Sequence, residues 1–122
     1  MRSLEDWELI ALAKQGNYEA FNCLVERYKN PIFSLCLYLT RNTHSAEDLV
    51  QETFVRLYKS LNRLKPQAQF KTFIFGIARN LALNQIRDEQ RKRNFLIRLF
   101  DKFNFDHKNQ SRNNPNTWIP DE

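Results

Sequence analysis

Between positions 70 and 87 the chain reads Phe-Lys-Thr-Phe-Ile-Phe-Gly-Ile-Ala-Arg-Asn-Leu-Ala-Leu-Asn-Gln-Ile-Arg, with apolar residues at 70, 73, 74, 77, 78 and 81. That i, i+3, i+4, i+7, i+8 recurrence is the period of a helix and excludes a strand, whose side chains alternate. An apolar stripe of this width has to be covered, so the helix predicts partner helices packed on it. Around the cylinder from the stripe fall Gly76, Arg79, Asn80, Leu83 and Arg87, a small, polar and cationic set expected to face outward. The same helix belongs to a longer stretch, residues 53–87, that holds Arg56, Lys59, Arg63, Lys65, Lys71, Arg79 and Arg87 without one Asp or Glu. Glu47, Asp48 and Glu52 stand just before it, so acid and base are segregated along the chain.

The remaining sequence supplies the partners. Ser3-Leu-Glu-Asp6 resembles a capping box and opens a first helix with Trp7, Ile10, Leu12 and Ala13, which Gly16 ends. A second begins near Asn17 and carries Ala20, Phe21, Leu24, Val25 and Tyr28 on one face; Pro31 is expected to kink it or to restart it with Asn30 as cap. The uniformly apolar run from Ile32 to Leu39 predicts the most buried segment. Ser45 with Glu47 and Asp48 reads as the start of a third helix running to about Leu61, its inward positions Ala46, Leu49, Val50, Thr53, Leu57 and Leu61. Pro66 then breaks the chain before the basic helix. With no strand alternation and no internal repeat, the fold class is all-α, four to five helices joined by short loops. Residues 1–93 form the helical domain, and residues 94–122, ending in an Asn/Pro-rich stretch, read as a partly disordered linker or tail.

Charge narrows the partner. The chain of 122 residues carries 19 basic and 14 acidic side chains, a net charge of +5 and a pI near 9.4, which favours an anionic partner. No apolar run is long enough to span a bilayer and the N-terminus is not a signal peptide, so an intracellular, cytoplasmic protein is expected. Cys23 and Cys36 sit in apolar helical patterns without a CxxC or a nearby His pair, and read as small buried side chains, not a disulfide or metal site. Isolated His44 lacks ligand partners, and no nucleophilic triad, phosphate loop or carboxylate pair appears. No enzyme, cofactor or small-molecule substrate is expected.

Three blocks carry a resemblance: Gly16-Asn-Tyr-Glu-Ala-Phe21 with Arg27-Tyr28, Ala46-Glu-Asp-Leu-Val-Gln-Glu-Thr-Phe-Val-Arg-Leu-Tyr58, and Phe70-x-Thr-Phe-Ile-Phe-x-Ile-Ala-Arg-Asn80. In order and spacing, over roughly residues 6–93, the chain resembles the promoter-binding helical domain of bacterial sigma factors, region 2, closest to the extracytoplasmic-function (ECF) group. The resemblance implies a transcription initiation factor that binds core RNA polymerase and the −10 promoter element. It implies that Asp48, Gln51, Glu52, Phe54 and Tyr58 dock on the clamp helices of the largest polymerase subunit. It further implies that one non-template base is turned out into a loop pocket of Lys65, Pro66, Gln67, Ala68 and Gln69, with Lys71, Thr72 and Phe75 beside it. Arg79, Asn80, Leu83 and Arg87 would then follow the strand. An anti-sigma partner and a second DNA-binding domain beyond the linker are also implied.

The chain departs from the family pattern at Phe73, where Trp is common, at Asn84, where Asp is common, and in the loop 65–69, which lacks the usual Gly and acid. The rival reading is a helical interaction module whose basic face binds an acidic protein or a membrane surface, a reading that the amphipathic segment 95–105 favours.

Overall fold

In the structure, a computed structural model, residues 3–65 and 69–107 are described, with side chains to residue 104. Four α-helices follow in order, α1 Asp6–Lys14, α2 Tyr18–Thr40, α3 Thr43–Ser60 and α4 Phe70–His107, with a 3-10 turn at Leu61–Arg63 between α3 and α4. The chain divides into two units, residues 1–84 and 85–122.

Each helix start has a local cause. Glu5 caps α1 through a reciprocal capping box with Glu8, in place of the expected Ser3. The Asn17 side chain accepts from the Ala20 N–H at 3.1 Å, and Asn42 accepts from the Ser45 N–H at 2.8 Å. Asn42, not Ser45, therefore opens α3, which moves Glu47 and Asp48 out of its first turn. The end of α1 is a Schellman motif: Gly16 donates to Ala13 and Asn17 to Leu12, with Gly16 at φ +94, where a β-carbon would be strained.

The core of the first unit comes from rows four residues apart. Ala20, Leu24, Tyr28, Ile32 and Cys36 line α2, while Phe70, Ile74, Ala78 and Ala82 line α4. Leu9, Ile10 and Ala13 of α1 and Ala46, Leu49, Phe54 and Leu57 of α3 complete it. Buried Thr53 satisfies its hydroxyl by donating to the Leu49 carbonyl at 2.7 Å. Phe70 seats the N-terminus of α4, its ring edge-on to Trp7 at 5.5 Å and to Tyr28 at 5.6 Å.

Two expectations about α2 are corrected. Of the kink or restart expected at Pro31 the restart does not occur: α2 continues through it, because Tyr28, Ile32 and Cys36 are buried along one face on both sides of an exposed proline, and that packing outweighs the missing hydrogen bond. The run from Ile32 to Leu39 is not uniformly buried either: Ile32 and Cys36 are, but Tyr38 is 75% exposed. α4 in turn passes residue 93 and reaches His107, since no Gly or Pro lies between Gly76 and Pro115 to stop it.

Candidate nucleic-acid interface

A cleft opens where the 3-10 turn leads toward α4. Trp7, Arg63, Leu64, Lys65, Gln69, Thr72 and Phe73 line it, so two cations, an amide and a hydroxyl stand beside aromatic and apolar walls. Lys65, Gln69 and Thr72 are brought together as expected; Pro66, Gln67 and Ala68 lie outside the described residues. Phe73, expected in the core, is 37% exposed and forms a cleft wall, its ring 6.3 Å from that of Phe70. The approach to the cleft is tethered from below, because the Lys14 ammonium at the end of α1 donates to the carbonyl of Leu64. Trp7 was expected to be plain core. It is only half-buried, and its buried Nε1–H has no hydrogen-bond partner among the described residues.

A second groove runs along α4 on the other side of Thr72. Leu35, Lys71, Thr72, Phe75, Gly76 and Arg79 line it, and the Lys71 ammonium sits 5.8 Å from the centre of the Phe75 ring. Lys71 and Phe75 are therefore not in the cleft with Lys65 and Gln69; Thr72 alone borders both. Arg79 and Asn80 are exposed on the same helix and Leu83 is half-buried. Arg87, also exposed, belongs to the second unit. Such a pair of hollows can receive a flat ring against Trp7 and Phe73 while cations and a hydroxyl contact the phosphates flanking it.

On α3 the acidic face is at the surface. Asp48, Gln51 and Glu52 are exposed and Tyr58 is half-exposed, its ring edge-on to Phe21 at 5.4 Å. Glu52 pairs with Arg56 at 3.1 Å and Asp48 lies 3.6 Å from His44, both solvated contacts one turn apart. Arg56 is thus bound to the acidic face and does not join the basic surface. Phe54 cannot dock on a partner as expected: it is 7% exposed and packs in the core beside Leu57, because its position falls on the buried side of α3.

The family model "Sigma-70 region 2" matches residues 24–92, more than half of the chain. The chain belongs to the sigma-70 region 2 family. Its similar curated relatives include the ECF RNA polymerase sigma factor SigW of Bacillus subtilis, 36% identical over 81 residues. Those residues are 66% of this chain and 43% of the relative. The ECF RNA polymerase sigma-E factor of Haemophilus influenzae is 36% identical over 90 residues, 73% of this chain and 47% of the relative. The chain thus spans about half the length of the curated relatives it matches. A solved structure, an engineered region 2 of sigmaE in complex with GTAAAA, is similar with a TM-score of 0.66 and 31% identity, over 73% of this chain and 93% of that one.

The cleft also takes in Trp7, Arg63, Leu64 and Phe73, which lie outside the pocket that the resemblance implies. Arg63 and Leu64 stand in the loop of residues 62–69 that the resemblance assigns to the −10 element. Trp7 carried no signal at all, because a lone indole near a helix start reads as packing until the cleft beside it is seen.

Proposed function

We propose that this chain is the polymerase-binding and promoter-opening part of an alternative sigma factor, a binding subunit and not an enzyme. The cleft of Trp7, Lys65, Gln69 and Thr72 holds one non-template base of the −10 element turned out of the stack. The groove of Lys71, Phe75, Gly76 and Arg79, with Asn80 exposed nearby, carries the adjoining strand. Extrusion of a base costs a few kcal/mol, least where the duplex is already opening, so a cleft that holds the base stabilises the melted state. The observation that carries the reading is the meeting of cations, amide and hydroxyl with the Trp7 and Phe73 rings in one hollow of a sigma-70 region 2 chain. The likeness to an engineered region 2 of sigmaE in complex with GTAAAA supports it.

The acidic face of α3, Asp48, Gln51, Glu52 and Tyr58 without Phe54, docks on the clamp helices of the largest polymerase subunit, where arginines would pair with the carboxylates and amide. Polymerase binding places the protein in the cytoplasm, and an anti-sigma partner restrains it there. Residues 1–93 act as the promoter-binding domain.

Binding to a single-stranded −10-like oligonucleotide, its duplex and heparin tests this reading. The single strand should bind with base preference, its log affinity falling by about 0.7 per log unit of salt for each phosphate contacted. Equal binding of all three polyanions whatever the sequence would remove base readout.

A further inference from the structure

The C-terminal part of α4, residues 91–103, has a chemistry that the promoter reading does not use. Phe95, Leu96, Leu99 and Phe100 are exposed at 54%, 50%, 47% and 38%, and with Phe103 they fall at i, i+1, i+4, i+5 and i+8. At a helical step that spacing makes one apolar arc of about 140°. Leu96, Leu99, Phe100 and Phe103 form a shallow hollow within it.

Charge is arranged around that arc. Arg91, Arg98 and Lys102 fall along one margin, Arg93 along the other, and Lys92 at the N-terminal end. The segment's only acid, Asp101, lies with Asn94 on the side opposite the arc. Within residues 91–103 five cations stand against one carboxylate, which points away from the apolar surface; Arg91 also lies 3.9 Å from Asp88, one turn earlier, which leaves Lys92, Arg93, Arg98 and Lys102 as the segment's other cations.

We infer that residues 91–103 form a peripheral anchor that lies on an anionic phospholipid surface, the arc of Phe95, Leu96, Leu99 and Phe100 in the acyl boundary and the flanking Arg and Lys side chains at the phosphates. A nucleic acid or a second copy of the chain satisfies only one half of the pattern. A nucleic acid would take the cations and leave a wide apolar arc in water. A second copy would cover the arc and bring two strongly cationic segments together. A headgroup layer accepts both, because long basic side chains extend outward from the margins of a helix lying in the interface plane. No helix among the described residues is long and apolar enough to cross a membrane, so the segment lies on the bilayer and does not span it.

Co-sedimentation of the full chain with phosphatidylcholine vesicles, with and without phosphatidylglycerol, tests the anchor. The chain should bind only the anionic vesicles, and more weakly as salt rises. Leu96→Gln with Phe100→Gln leaves every charge in place and should weaken vesicle binding at least about tenfold, with the helical circular dichroism and oligonucleotide binding unchanged. Arg98→Gln with Lys102→Gln should weaken it about fivefold per cation removed. Leu99→Trp should give an emission component, taken as the difference from the native chain with its Trp7 and Trp118, that shifts to the blue on anionic vesicles, a readout that stands even if the double variant folds poorly. Undiminished binding by well-folded Leu96→Gln/Phe100→Gln would reduce the contact to non-specific charge attraction and overturn the anchor. No vesicle binding, or a concentration-dependent dimer abolished by the same pair of substitutions, would overturn it as well.

Discussion

The Arg27 guanidinium donates to the Asp6 carboxylate at 2.8 Å, joining the first turn of α1 to the middle of α2. The Tyr28 hydroxyl donates to the other oxygen of the same carboxylate. One acid thus satisfies two neighbouring donors from the next helix, directly beneath the Phe70 ring that seats α4.

Asp6→Ala removes the acceptor that a partly buried guanidinium and a buried phenol share, and should cost about 2 kcal/mol of unfolding free energy. Urea denaturation measures it. A double-mutant cycle with Arg27→Met should return a coupling of about 1 kcal/mol, reduced by the partial exposure of both side chains.

High pH should weaken the fold through Tyr28. Burial, and then the hydrogen bond to Asp6, raise its pKa well above that of a free phenol. A pKa raised in the folded state means that the stabilisation is complete below the unfolded value, about 10. Above that the unfolded chain releases the proton while the folded chain keeps it, and stability falls by up to about 1.4 kcal/mol per pH unit. Denaturation midpoints across the alkaline range should drop for the native chain and drop less for Tyr28→Phe.

Two residues outside the loop should govern the cleft. Lys14→Met removes the tether to the Leu64 carbonyl, and Trp7→Ala removes a wall. Each should weaken binding of a −10-like single strand about tenfold or more. Heparin binding, which needs no cleft, should be nearly unchanged, and the ratio of the two affinities is the measurement.

Reversing the acidic face should separate the two activities. Asp48→Arg with Glu52→Arg replaces exposed carboxylates whose contacts to His44 and Arg56 contribute at most about 0.5 kcal/mol each. Pull-down of core polymerase should be lost while helical circular dichroism and oligonucleotide binding persist.

The helices were legible because their periodicity and caps are local properties of the chain, and the core rows of α2 and α4 follow from it. Two aromatic positions differ from expectation, each for its own reason. A residue at the edge of an apolar stripe lies about 100° from its neighbour, so a small error in the centre of the stripe moves it from core to surface. Phe73 is thereby a cleft wall; the docking role of Phe54 comes from the family resemblance alone, and its place on the buried side of α3 makes it core. The family resemblance puts Lys65 and Gln69 in one pocket with Thr72 beside it, and all three line the cleft, although nothing in their own types marks one. Trp7 and Lys14 join the site only through tertiary contact, which no spacing within one helix encodes. α4 runs beyond residue 93 into the stretch expected to be linker, because the amphipathic segment 95–105 and the charged residues before it contain nothing that forbids helix.

Capture of a single base is the central claim, and an abasic scan tests it most directly. Remove one base at a time from the non-template −10 oligonucleotide and measure each affinity at fixed salt. Loss at one position should cost about 1–3 kcal/mol, and this selective loss should disappear in Trp7→Ala with Gln69→Ala. A flat profile, with every abasic strand binding as the intact one does, would contradict base capture and leave a surface that holds DNA by its phosphates alone.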